Sequence, residues 1–361
     1  MKQNRIEQIL AKMEANGIPQ LIISDPVAIF YLTGTWIIPG ERLLALYLHK
    51  SGDARLVLNE LFPQEGDLGV ELVWYNDIQD GVEILSKVIG EDDVIGIDKE
   101  WPAKFLLRLQ EIFPDRNYVN SSLLIDQVRM IKDEEEAELM RESSRITDRV
   151  MGELIPWAGK GLSENELSDK VKEIYAAHGI KTMSFDPITA YAKGAADPHH
   201  ATDDSRGRHG DCVVLDIGGV YQNYCSDITR TVFIGEVSDR QKEIYEIVRE
   251  ANLRGIAAAR PGNRMCDVDL AARDYIEEKG FGQYFTHRTG HSIGLEDHEY
   301  GDVSSVNEEI IKPGQCFSVE PGIYLPEEGI GVRIEDIVLI TEDGCEVLND
   351  FPKDLITVPE A

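Results

Sequence analysis

Five metal-type ligands in the C-terminal half constrain this chain more than any other feature: Asp216 and Asp227, then His291, then Glu320 and Glu335. Each lies in a short strand-like or turn-like stretch, a poor pattern for a solvated face. Carboxylates gathered together repel unless they are protonated or matched by cations, so burying four of them implies a counter-charge of similar size. Two divalent cations would balance four carboxylates, with a bridging hydroxide as the remaining anion. That chemistry points to hydrolysis.

At 361 residues the chain exceeds what one hydrophobic core usually covers, so two domains are expected. The formal charge of −30 disfavours a nucleic-acid partner, which needs a basic face, and reads instead as an acidic, solvated surface. No apolar stretch reaches transmembrane length. The first residues, Met1–Gly17, lack a signal-peptide core and repeat Ile6, Ile9, Leu10 and Met13 at helical spacing. A cytoplasmic protein without a membrane partner is therefore expected. The five cysteines, 212, 225, 266, 316 and 345, are odd in number, contain no CxxC pair and read as reduced buried thiols.

The first third alternates strand-like and helix-like runs. Gln20–Ser24 is an apolar strand, Asp25-Pro26 opens a helix, and Ser51-Gly52-Asp53 is a hairpin-type turn between the strands at 43–48 and 54–58. These runs predict an α/β domain over residues 1–125. Asp133 caps a charged helix whose acidic start suits the helix dipole, and Ser163 caps a second. From 185 onward short strands dominate, interrupted by helices near 239–259 and 266–279. Residues 126–361 are thus expected to form a curved, mostly antiparallel sheet with outer helices, the whole chain being α+β.

Asp216 follows Val213-Val214-Leu215, and Gly218-Gly219 is expected to turn the chain back toward Asp227. Glu320 follows Phe317-Ser318-Val319, a Pro-Gly turn comes next, and a strand over 331–334 leads to Glu335. The matched hairpins predict an internal duplication with pseudo-twofold symmetry. His291 lies in a glycine-flanked segment with His287 and His298, spaced by four and seven residues. Oxygen-rich ligation with one imidazole favours manganese, with cobalt, iron or zinc as alternatives. Bridging carboxylates would hold two such ions roughly 3.5–4 Å apart, the geometry that activates water and clamps a carbonyl. A structural calcium site and an acid cluster without metal are the competing readings.

The chain resembles the prolidase and Xaa-Pro aminopeptidase family, metallopeptidases of the pita-bread fold. LDIGG with Asp216, CSDITRT with Asp227, HRTGHSIGLEDHE with His291, VEPGIY with Glu320 and GVRIEDIV with Glu335 carry the resemblance, in order. The first half is similar to the family's smaller creatinase/prolidase-type domain at YLTG (31–34) and PGERLLALYL (39–48). The resemblance implies a pita-bread catalytic domain, hydrolysis of Xaa-Pro dipeptides and a homodimer. It also implies site roles. His199 lies near the scissile bond and His298 hydrogen-bonds the carbonyl or developing oxyanion. His287 walls the proline pocket. Arg333 helps fix the substrate, and Glu320 doubles as proton shuttle. His200 is the alternative to His199, while His178 and His209 read as surface.

One departure stands out. The family's arginine for the dipeptide carboxylate falls between the histidine and EPG motifs in some prolidases, yet residues 297–311 here contain neither Arg nor Lys. Carboxylate recognition then falls to Arg333 or to a partner subunit's N-terminal domain, or is weak. An aminopeptidase acting on longer Xaa-Pro peptides is the runner-up, and a non-catalytic pita-bread binding protein is the remote one.

Overall fold

A computed structural model describes residues 1–361. The chain forms two compact units, Met1–Arg129 and Met130–Ala361. The division expected near residue 125 falls inside the helix Ser122–Arg129, whose Leu124, Ile125 and Val128 are buried. Cutting an amphipathic helix mid-turn would expose that face, so the first unit closes at the helix end.

The first unit is built on a six-stranded mixed sheet. Gln20–Ile23 is buried along its whole length and pairs antiparallel with Ala45–His49 and parallel with Val94–Ile97. The Ser51-Gly52-Asp53 turn joins Ala45–His49 to Ala54–Asn59, with Gly52 at φ 87°. Asp25 caps the helix Pro26–Thr33, its carboxylate accepting from Val27 and Ala28 amides. The outer strands Glu71–Tyr75 and Asn117–Asn120 were not legible beforehand, because partial exposure leaves them with weak alternation.

The second unit opens with two helices, Glu134–Leu154 and Glu164–Ala177, each started by a reciprocal capping box, Asp133 with Glu136 and Ser163 with Glu166. They cover one face of a four-stranded sheet ordered Ile356–Val358, Ile228–Ile234, Cys212–Ile217, Ile188–Tyr191. Val150, Leu154, Leu167 and Val171 pack there against Val213, Leu215, Ile228 and Val232. Each such side chain contributes about 1.5–3 kcal/mol relative to exposure. The opposite face of Cys212–Ile217 is buried too: Cys212 and Val214 meet Ile244, Val248 and Ile276 from the helices Asp239–Ala258 and Met265–Glu278. A strand covered on both sides reads as one continuous apolar run, which explains Cys212-Val213-Val214-Leu215.

A five-stranded antiparallel sheet follows the order Glu299–Val303, Gly290–Ser292, Cys316–Val319, Asp336–Ile340, Cys345–Val347. Met265 and Val268 pack on its Phe317, Val319 and Val338. The separate ribbon Gly322–Leu325 with Ile330–Arg333 extends the pair Cys316–Val319 and Asp336–Ile340 past a break. The outcome is a mixed α+β pita-bread unit.

Two turns differ from expectation. Gly218-Gly219 does not reverse the chain; the reversal is at Gln222-Asn223, both at positive φ, between Val220–Tyr221 and Tyr224–Cys225. The glycines are there for close approach, since a Cβ on Gly218 would strike the Ser226 carbonyl and one on Gly219 the Tyr175 ring. Pro321-Gly322 is likewise no hairpin turn. It marks the break after Glu320, and the reversal comes at residues 326–329, where Gly329 takes φ 63°.

Candidate active site

Three of the four acids sit where strand pairing ends or breaks. Asp216 is in register with Thr229, so Asp227 lies just beyond the end of the partner strand. Glu320 and Glu335 lie on opposite chains of one antiparallel ribbon, between the Val319–Asp336 and Gly322–Arg333 pairs. Leaving the regular ladder lets Asp227, Glu320 and Glu335 turn their side chains toward a common point, while Asp216 points there from within its strand. His291 is aimed by a different device, a register shift between His291 and Ser292.

The segment around His291 is held from below. Asp269 accepts from the Thr289 amide at 3.1 Å and hydroxyl at 2.8 Å, and Arg273 bridges Asp269 to the Phe285 and His287 carbonyls. Gly290 passes so close to the Ser318 carbonyl that a Cβ would collide with it. Ser318 then connects two candidate ligands, its Oγ accepting from the His291 amide at 3.0 Å and donating to Glu320 Oε1 at 3.3 Å.

All five candidates line one pocket of about 430 Å³, in the range of small-molecule sites. His291 Nδ1 faces the Ser292 carbonyl at 3.3 Å, which assigns the proton to Nδ1 and turns the Nε2 lone pair into the pocket. Burial, then the neighbouring His298, pulls its pKa down to about 3, so the ring is neutral. Its Nε2 lies 3.7 Å from Asp227 Oδ2 and 3.6 Å from Glu320 Oε1. Those separations are too long for hydrogen bonds.

The acids are strongly perturbed. Burial and then the charge of Glu335 push Asp227 well above the usual carboxylate range; burial and then Glu320 do the same for Glu335. Glu320 is raised to about 8 by burial, against the opposing pull of Arg333. Arg333 is the one cation paired with the four acids, through Nη2 to Asp216 Oδ2 at 2.5 Å. Three carboxylates are left without a counter-charge. Asp216 Oδ1, Asp227 Oδ1 and Glu335 Oε1 are buried without a hydrogen-bond partner. Ligand atoms of Asp227, His291 and Glu335 all fall within 4.8 Å of one another. Unpartnered carboxylate oxygens beside an imidazole lone pair are what a divalent cation requires, so the donor set fits one.

Around this cluster the remaining candidates separate. His199, His287 and His298 line the pocket. His200 does not: its Nε2 is 2.6 Å from Oε2 of the fully buried Glu164. His298 stacks on His291 with ring centroids 3.8 Å apart, and burial lowers its pKa. Its Nδ1 is 3.0 Å from Arg288 Nη2, which can only donate, so Nε2 carries the ring proton. Arg333 is 4% exposed, and its three nitrogens donate to Thr229 Oγ1, the Tyr324 hydroxyl and Asp216. Arg288, Asp297 and Tyr324 escaped the sequence reading. Arg288 and Asp297 sit inside the histidine motif, but neighbours in sequence do not reveal which side chains face a pocket.

Fold and site together define a metallopeptidase. Residues 138–342 match metallopeptidase family M24 and residues 5–131 the creatinase/prolidase N-terminal domain. The chain belongs to the M24 metallopeptidase family. It is 33% identical over 356 residues to an uncharacterized peptidase of Staphylococcus aureus (strain MW2), covering 97% of this chain and 99% of that one. Among solved structures it is similar to the prolidase from Thermococcus sibiricus, with a TM-score of 0.93, 32% identity and 99% of each chain covered. The Xaa-Pro dipeptidase from Bacillus anthracis gives a TM-score of 0.91 at 31% identity, again over 99% of each chain. No helix is long and apolar enough to cross a membrane.

Proposed function

We propose that this protein hydrolyses Xaa-Pro dipeptides with the help of two divalent cations, manganese first. Asp216, Asp227, His291, Glu320 and Glu335 would hold the ions. The observation carrying this reading is that three buried, unpartnered carboxylate oxygens and a neutral imidazole lone pair line one pocket of small-peptide size. When bound, such ions supply charge for the acids, lower the pKa of a water and polarise the scissile carbonyl.

The chain's own residues do the rest. Glu320 takes the proton of the attacking water and returns it to the prolyl nitrogen, a tertiary amide that carries none of its own. His298, with its proton on Nε2, donates to the oxygen that becomes negative. His199 and His287 bound the space for the ring, together with Phe185, Ile188 and Pro198 of the same pocket. A pocket that reads ring shape suits a bond offering no N–H to recognise. The structural likeness to the two proteins named above supports the same substrate class.

The test compares an Xaa-Pro dipeptide with an Xaa-Pro-Yaa-Zaa peptide on protein loaded with manganese. A dipeptidase cleaves the first with higher kcat/KM. Equal values would favour the aminopeptidase reading, and no cleavage of either would end both.

A further inference from the structure

We propose that Arg288 is the specificity residue that binds the substrate's C-terminal carboxylate, an inference that rests on the Xaa-Pro reading above. The pocket wall offers two cations, Arg333 and Arg288. Every nitrogen of Arg333 already donates within the protein, and the group is almost wholly buried. Arg288 is exposed, and its guanidinium's one hydrogen bond goes from Nη2 to His298 Nδ1. No carboxylate pairs with it, although acids outnumber bases almost two to one in the chain, 66 against 36.

The placement suits a small peptide. His298 stacks 3.8 Å from His291, and Arg288 Nη2 lies 3.0 Å from His298 Nδ1. Arg288 lines the same pocket as His291 and the four acids, so a peptide whose scissile bond lies at that cluster has its C-terminal end within the pocket Arg288 borders. A pocket-lining guanidinium with N–H groups not given to any carboxylate is a natural partner for one. Residues 297–311 supply no other cation. Arg288 also polarises His298, so anchoring and oxyanion donation would share one hydrogen-bonded unit.

The experiment measures KM and kcat for Ala-Pro and Ala-Pro-amide on manganese-loaded wild type, Arg288→Gln and Arg288→Lys. Metal content and melting temperature check each variant. Wild type should favour the free acid. Arg288→Gln should raise KM for Ala-Pro roughly 30-fold, the scale of one charge-assisted hydrogen bond, and erase the preference. Arg288→Lys should keep part of it. As a binding readout, L-proline should inhibit wild type more strongly than L-prolinamide. Equal inhibition by the two, or an Arg288→Gln defect that lowers kcat equally on both substrates, would overturn the assignment and leave Arg288 as a support for His298. Wild type that cleaves neither substrate would bring down the Xaa-Pro reading itself.

Discussion

The Tyr324 hydroxyl donates to His287 Nε2 across 2.8 Å, and that bond fixes the protons of a four-residue chain. Arg333 Nη1 can only donate, so at 3.0 Å the Tyr324 oxygen accepts from it. His287 Nδ1 donates to the Arg288 carbonyl at 2.7 Å. Burial, then the Arg333 charge, draws the His287 pKa down to about 4, so the ring stays neutral near pH 7.

Tyr324→Phe keeps the ring and removes the link. Arg333 Nη1 loses its acceptor in buried surroundings and His287 Nε2 its donor in partly buried ones. Stability should fall by about 1–3 kcal/mol. Urea unfolding at pH 7 measures this; an unchanged midpoint would show that the chain carries no weight.

Asp227 and Glu335 are the most deeply buried of the acids without a counter-charge. Replacing either with Ala should cut activity by roughly a thousandfold or more, several kcal/mol of barrier, and release metal. His298→Ala should lower turnover by roughly 10²-fold while metal content holds. Elemental analysis beside steady-state rates separates the two classes, and a fully active Asp227 variant would refute the ligand assignment.

Neighbouring histidines should behave oppositely. His199 faces the pocket, so His199→Ala should depress turnover and leave the melting temperature nearly unchanged. His200 supports Glu164, which also accepts from the Tyr191 and Asp203 amides at 2.9 and 3.0 Å. His200→Ala should destabilise by about 1–3 kcal/mol through a buried carboxylate short of one partner. Thermal melts and rates on both variants decide it, and the reverse pattern would exchange their roles.

Asp148 makes stability depend on pH. Burial raises its carboxyl to about 6, against hydrogen bonds from the Asp350 amide and Asn349; Arg230 favours its charge and Asp336 opposes it. A folded pKa above the unfolded one means protonation favours the native state. That contribution is full below about pH 4 and fades as pH rises through about 6. Asp148→Asn should remove the decline, gaining on the order of 1 kcal/mol over wild type at pH 7. Melting temperatures at pH 4.5 and 7 measure it, and parallel losses in both proteins would contradict it.

Much of this was legible in the residues. Asp133, Ser163 and Asp25 announced their helices because a cap is a local hydrogen bond between near neighbours. The Ser51-Gly52-Asp53 turn was legible for the same reason. Gly218-Gly219 misled, since a glycine needed for close approach looks the same in sequence as one needed for a turn. The Ser226 carbonyl that excludes a Cβ at Gly218 comes from the far arm of the hairpin.

The sequence by itself pointed to the candidate acids and imidazole, the helix starts and the two-part organisation, because residue type and spacing fix which chemistry and which short-range hydrogen bonds a chain can form. Only the tertiary structure decided that His199 and not His200 faces the pocket, that Arg333 is already committed to Asp216 and Tyr324, and that Arg288 is bonded to His298 and to no carboxylate. Those outcomes depend on partners distant in sequence, such as the 36 residues separating Glu164 from His200. Burial then sets which donors and acceptors must be satisfied before a substrate arrives.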